Sequence, residues 1–113
     1  DVMVRQAVSN LLRNAVEACV EAGVAPRVRV QGAIDDGSGT QRVVVSDNGP
    51  GVPPNVADKV FQPFFTTRGR GTGLGLALVQ KIIVSHNGRV TLGASAEGGA
   101  EFTISLPIAH RRN

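Results

Sequence analysis

From Asp47 to Thr72 the sequence supports no long helical or strand period, and this loop-rich stretch constrains the fold more than any other feature. It reads DNGPGVPPN, then a short helical stretch around Val56–Phe61, then QPFFTTRGRGT. A connection of that size inside a compact domain is uncommon and often functional. A regular scaffold must hold its two ends, and the flanking sequence offers one on each side.

Upstream, Asp1–Ala22 reads as a helix. Val4, Val8, Leu11, Leu12, Ala15, Cys19 and Ala22 recur at steps of three and four and form one apolar face. Gly23 is placed to cap it and Pro26 to block its continuation. Arg27–Ile34 and Gln41–Asp47 read as strands joined through a DDGSGT turn. The continuous apolar run Val43–Val45 marks the second as the more buried. Downstream, Leu74–Asn87 reads as a helix that is apolar around most of its circumference, closed by Gly88. Arg89–Ser95 and Ala100–Pro107 form a hairpin across Glu97-Gly98-Gly99. The order helix, two strands, long loop, helix, two strands predicts an α+β fold, with helices stacked on one face of a mixed or antiparallel sheet. The 113 residues show no repeat and no linker, so one domain spanning 1–113 is expected.

Composition removes several function classes. No apolar run reaches the roughly eighteen residues of a membrane span, and the start lacks the basic-then-apolar pattern of a leader, so no direct membrane contact is expected. Cys19 is the only cysteine, which rules out an intramolecular disulfide and suits a reducing, cytoplasmic setting. It reads as a small buried apolar group rather than a reactive thiol. The net charge of +3 is not organised for nucleic acid: there is no Trp or Tyr and no run of five basic residues.

Three clusters carry chemistry. Asn10, Asn14, Glu17 and Glu21 fall at steps of four, three and four, forming a polar stripe roughly opposite the apolar face of the first helix. An amide oxygen is a neutral ligand suited to a hydrated Mg²⁺ shared with a triphosphate, although a solvated helix face would look the same. Next, a buried strand delivers Asp47 into Asn48-Gly49-Pro50-Gly51. A fixed carboxylate there would accept from the exocyclic amine of adenine, and glycines would let backbone approach a flat ring; a plain surface turn is the competing reading. Finally, Gly69-Arg70-Gly71-Thr72-Gly73-Leu74-Gly75-Leu76 runs straight into a helix. Its exposed N–H groups and the helix terminus make a phosphate cradle, with Arg68 and Arg70 adding positive charge. It is neither a P-loop nor a dinucleotide fingerprint. Phe61, Phe64 and Phe65 crowd the loop before it, either as a docking surface or folded back on the core.

In this order the clusters resemble the catalytic domain of sensor histidine kinases, within the superfamily shared with gyrase, mismatch-repair and heat-shock-chaperone ATPases. Asn10-Leu11-Leu12-Arg13-Asn14-Ala15 is similar to the asparagine box and Asp47-Asn48-Gly49-Pro50-Gly51 to the first glycine box. Phe61-Gln62-Pro63-Phe64-Phe65-Thr66-Thr67 resembles the phenylalanine box, and Gly71-Thr72-Gly73-Leu74-Gly75-Leu76 the second glycine box. Pro-Phe-Phe-Thr-Thr-basic and Asn-Ala-Val-Glu-Ala look most like the nitrogen-regulation and oxygen-sensing kinases.

The resemblance implies a Bergerat-type two-layer α/β sandwich whose mixed sheet lacks its N-terminal strand, in a fragment without the dimerisation and phosphoacceptor domain. It implies ATP and Mg²⁺ as ligands, with Asn14 on the metal and Asn10 supporting the triphosphate. Asp47 would take adenine N6 in a pocket shaped by Gly49 and Gly51. Thr67, Arg68, Arg70, Gly71, Thr72, Gly73, Leu74 and Gly75 would complete the nucleotide site, under a lid spanning about 54–72. In hydrolysing relatives a glutamate activates water one turn before the metal-binding asparagine; here Asn10 has no useful basicity, which favours transfer over hydrolysis. The implied partners are ATP/ADP, a histidine-bearing dimerisation domain of the same protein, and a response-regulator receiver domain, in a homodimeric whole. Neither His86 nor His110 has the helical context of the family's acceptor, so this segment alone is not expected to autophosphorylate. A non-catalytic nucleotide- or partner-binding module and a serine-phosphorylating anti-sigma kinase are the alternatives.

Overall fold

The computed structural model describes residues 2–62 and 75–108. Its first helix, α1 (Val2–Glu21), buries Ala7, Leu11, Ala15 and Cys19, a ridge of every fourth residue that is mostly small. Small side chains let the helix lie close to the layer beneath it. The helix ends as the sequence predicts: Val24 N–H donates to Cys19 O at 2.9 Å and Gly23 N–H to Val20 O at 3.0 Å, with Gly23 at φ 75°. That pair of bonds is a Schellman motif.

Two strands follow, β1 (Val28–Asp35) and β2 (Thr40–Asp47), then α2 (Gly75–Ser85), β3 (Arg89–Ala94) and β4 (Ala100–Pro107). The sheet order is β1-β2-β4-β3, and each neighbouring pair is antiparallel. Of the two sheet types expected, mixed or antiparallel, the antiparallel one is found. β2 and β3 do run in the same direction across the α2 connection, but β4 lies between them, so no parallel ladder forms among the described strands. Both helices cover one face. Beneath them Val45, Phe102 and Leu92 fall in one cross-strand row, and Val43, Ile104 and Val90 in the next.

β4 is the innermost strand of the core, with Ala100, Phe102, Ile104 and Leu106 buried at every second position. Each fully buried Leu, Ile or Phe contributes about 1.5–3 kcal/mol, so this strand and the facing Leu11, Val79, Ile82 and Ile83 supply most of the hydrophobic stabilisation.

Two local expectations change. The stretch around Val56–Phe61 is a run of turns, with Val56 N–H donating to Pro53 O, Lys59 N–H to Val56 O and Gln62 N–H to Lys59 O, each three residues back. A segment this short cannot repay the cost of nucleating an α-helix. Phe61 nevertheless folds inward, edge-on to Phe102 with ring centroids 6.0 Å apart, beside buried Val60. Phe64 and Phe65 lie outside the described residues. The second helix is closed not by Gly88 but by Asn87, the only described non-glycine at positive φ (64°), an amide side chain that tolerates the left-handed region. Gly88 is needed for another reason: a Cβ there would collide with the Ser105 carbonyl.

Candidate functional site

β2 carries a carboxylate into the interior. Asp47 is its last residue, on the helix-facing side with Val43 and Val45, and is 4% exposed. A carboxylate this buried requires donors. Its Oδ1 accepts from Gly49 N–H at 2.9 Å, closing an Asx turn over Asn48, and from Ala100 N–H at 3.2 Å, at the start of β4. Among the described residues both bonds converge on Oδ1, and no described donor reaches Oδ2. The carboxylate is thus fixed by backbone groups on two elements and offers one acceptor in a set orientation.

The glycines around it are structural requirements. Gly51 sits at φ 76°, where a Cβ would lie 3.4 Å from Gly98 O. Gly99 presses directly on Asp47, and a Cβ there would overlap both the Asp47 carboxylate and its backbone carbonyl. Sequence reasoning assigned Gly99 to the β3–β4 turn and missed this role. The signal was there: Gly98 alone, at φ 96°, supplies the turn's left-handed residue, so turn chemistry does not explain an adjacent second glycine.

Asn48 turns away from the carboxylate toward the α1–β1 connection. Its Oδ1 accepts from Arg27 N–H at 2.7 Å and from the Cys19 thiol at 3.3 Å, and its Nδ2 donates to Ala25 O at 3.1 Å. Cys19 is fully buried, consistent with its reading as a packed apolar group, and touches the site only through this contact and its approach to Gly49.

Asn10 and Asn14 are half-buried on α1, whereas Glu17 and Glu21 are exposed. The polar stripe therefore borders the buried ridge at its asparagine end rather than opposing it. Asn14 follows Ala7 by seven residues, two helical turns, and so comes close beneath it on the cylinder. α1 packs directly on β2, and its last turn meets the Asp47 turn at Cys19. Measured back from Cys19, Asn14 lies about 7.5 Å and Asn10 about 13.5 Å along the helix axis. The two amides thus trail away from Asp47 in sequence along one rod. Gly75 is the exposed first residue of α2, as a cradle at a helix start requires. Thr67, Arg68, Arg70, Gly71, Thr72, Gly73 and Leu74 lie outside the described residues. Among the described residues no group of three or more His, Cys, Asp or Glu could hold a metal ion. A divalent cation would have to share a ligand's oxygens with neutral amides, and Asn14 fits that donor set.

His86 is explained without chemistry. Its Nδ1 lies 2.8 Å from Ile82 O at the end of α2, beside the Ser85 hydroxyl, which donates to the same carbonyl at 2.7 Å. Orphan carbonyls at a helix end take such partners.

A buried carboxylate at a strand end, a glycine turn, an asparagine-bearing helix and a glycine-led second helix define a fold-and-site class that comparison identifies. The chain belongs to the histidine kinase-, DNA gyrase B- and HSP90-like ATPase family, whose profile matches residues 1–110. It is 44% identical to the sensory histidine kinase/phosphatase NtrB of Rhodobacter capsulatus, over 88% of this chain and 30% of that protein. It is 39% identical to the signal transduction histidine-protein kinase AtoS of Escherichia coli, over 98% of this chain and 18% of that one. The chain thus spans less than a third of these relatives. Among solved structures it is similar to the mycobacterial sensor histidine kinase MprB, with TM-score 0.78 and 33% identity over 90% of this chain and 70% of that one. It is also similar to full-length ShkA in complex with AMPPNP, with TM-score 0.82 and 34% identity over 98% of this chain and 22% of that one. No described helix is long and apolar enough to cross a membrane.

Proposed function

We propose that this chain binds Mg²⁺–ATP and donates its γ-phosphate to a histidine on a separate dimerisation domain of the same protein. The observation that carries the reading is Asp47: buried, held through Oδ1 by two backbone N–H groups, and with no described donor on Oδ2. The exocyclic amine of adenine can donate to that oxygen, whereas guanine presents a carbonyl oxygen at the corresponding position and would set acceptor against acceptor. Gly49 and Gly51 shape this pocket, since glycine lets backbone approach a flat ring closely.

Along α1 the asparagines serve the other end of the nucleotide. Asn14 contributes an amide oxygen to Mg²⁺, and Asn10 orients the triphosphate without acting as a base. When bound, Mg²⁺ neutralises charge developing on the phosphate oxygens. Gly75 opens α2 beneath the phosphates, and Thr67, Arg68, Arg70, Gly71, Thr72, Gly73 and Leu74 complete that rim. The acceptor imidazole nitrogen forms the new bond to γ-phosphorus as the bond to the bridging oxygen breaks and ADP leaves. This chain's contribution is positioning and charge stabilisation, as is general for phosphoryl transfer. A receiver-domain aspartate of a response regulator then takes the phosphoryl group, and the intact protein is a homodimer with this domain in the cytoplasm. Similarity to the NtrB and AtoS kinases and to the AMPPNP complex of ShkA supports this reading.

The test is to mix the chain with a separately produced dimerisation domain and γ-labelled ATP. Label on the acceptor histidine is expected. Nucleotide binding without transfer would make the chain a regulatory module, and label on serine would place it with anti-sigma kinases.

A further inference from the structure

Asp47 is only as well placed as the chain segments that hold it, and these form a closed ring. Its Oδ1 is tied to Ala100 at the start of β4. The turn preceding Ala100 carries Glu97, whose carboxylate pairs with Arg27 at 3.2 Å and Arg29 at 3.6 Å. Arg27 in turn donates its backbone N–H to Asn48 Oδ1, and Asn48 is bonded covalently to Asp47. The ring joins four parts of the chain: the end of α1 with its connection to β1, the start of β1, the turn after β2, and the β3–β4 hairpin.

Its links are unequal. The Glu97 pairs are exposed, with the Arg27 and Arg29 side chains 74% and 63% accessible, and exposed pairs contribute little. Asn48 instead makes three bonds from one half-buried side chain, to Arg27 N–H, the Cys19 thiol and Ala25 O. It uses both its donor and its acceptor, so no single replacement reproduces the set. The backbone from Asp47 to Gly49 has no other side-chain anchor on this flank among the described residues.

We infer that Asn48 is a positioning residue for nucleotide recognition: by clasping the α1–β1 connection it fixes the turn that aims the Asp47 carboxylate. The inference rests on the reading that Asp47 receives an adenine nucleotide, and it deepens that reading by naming what sets adenine selectivity. The Asn48 side chain is engaged by Cys19, Arg27 and Ala25 rather than by the Asp47 carboxylate. Loss of the clasp lets the turn move, so Oδ1 loses its hold on Gly49 and Ala100 and Oδ2 loses its fixed direction.

The test uses AMPPNP and its guanine counterpart with Mg²⁺, titrated calorimetrically into the wild-type chain, Asn48→Ala, Asn48→Asp and Glu97→Gln. Asn48→Asp keeps the Oδ1 acceptor but sets a carboxylate oxygen against Ala25 O, a milder lesion should the alanine variant not fold. The expected result is an affinity for AMPPNP at least about tenfold lower in folded Asn48 variants, with a narrowed adenine-over-guanine ratio. Glu97→Gln should change affinity less than about twofold. The pattern of amide exchange separates local loosening of the turn from general destabilisation, which would lower protection across the whole sheet. Gly49 and Ala100 N–H should exchange faster in the Asn48 variants, while amides in the β2–β4 ladder around Val45 and Phe102 keep wild-type protection. Folded Asn48 variants with wild-type affinity and selectivity would overturn the positioning role while leaving the pocket intact. A wild type that ignores AMPPNP would overturn the pocket reading itself, and this inference with it.

Discussion

Replacing Asp47 in two ways separates the jobs of its two oxygens. In Asp47→Asn, Oδ1 can still accept from Gly49 N–H at 2.9 Å and Ala100 N–H at 3.2 Å, so the turn and the start of β4 keep their bonds. Stability should fall by less than about 1 kcal/mol, the difference between accepting with a charged and a neutral oxygen. The amide nitrogen, however, replaces Oδ2 and opposes the donor it served. A hydrogen bond to a charged group contributes about 1.5–3 kcal/mol, so adenine-nucleotide affinity should drop about 10- to 150-fold. Asp47→Ala removes both oxygens and orphans two N–H groups beside a residue that is 4% exposed. At about 1–3 kcal/mol for each orphaned group, stability should fall by about 2–6 kcal/mol. Urea unfolding followed by circular dichroism measures the first quantity, and calorimetric titration of Mg²⁺–ADP the second. An Asp47→Asn variant as destabilised as Asp47→Ala, or one that binds ADP like the wild type, would contradict these separate roles of the two oxygens.

Three further outcomes follow from particular contacts. Gly99→Ala places a methyl group on the Asp47 carboxylate and carbonyl, and should cost about 1–3 kcal/mol in urea unfolding while weakening ADP binding beyond what the unfolded fraction explains. Phe102→Ala, from a side chain 2% exposed at the middle of β4, should cost about 3–5 kcal/mol, and half-buried Phe61→Ala distinctly less; equal losses would contradict the packing described. The Asp35 carboxyl is held below its ordinary value, first by hydrogen bonding from the Ser38 side chain, then from the Ser38 and Gly37 backbone, and by Arg42. Because the folded value is depressed, its stabilisation is present above the unfolded value of about 3.9 and is lost as pH falls through the folded one. Asp35→Asn should therefore lower the melting temperature slightly at pH 7 and not at all in strong acid.

The elements were legible because their periods are unambiguous. Step-four spacing in α1, the Val43–Val45 run and alternation in β4 each admit one partner surface, and the Gly23 and Pro26 signals ended α1 within a residue of its expected limit. Asp47 stood out as a carboxylate delivered by a buried strand into a glycine turn, and its burial argues against the plain surface turn that competed with that reading. What escaped depends on contacts between distant segments. Gly99 looks like turn chemistry until Asp47 is seen beneath it, and Asn48 looks like a turn residue until Arg27 and Ala25 are seen beside it. The Val56–Phe61 helix failed because local composition cannot tell a nucleus too short to propagate from a real turn of helix. The choice between a mixed and an antiparallel sheet was not legible, because β4 enters between β2 and β3, an insertion no local pattern records.

The central claim is that Asp47 reads adenine, and the most direct measurement is a calorimetric titration of Mg²⁺–ADP against Mg²⁺–GDP into the wild-type chain. Saturable, one-to-one binding of ADP is expected, with at least about a tenfold preference over GDP, the discrimination that follows when a fixed acceptor loses its donor. Equal affinity for the two, or no binding of ADP by the folded chain, would contradict it.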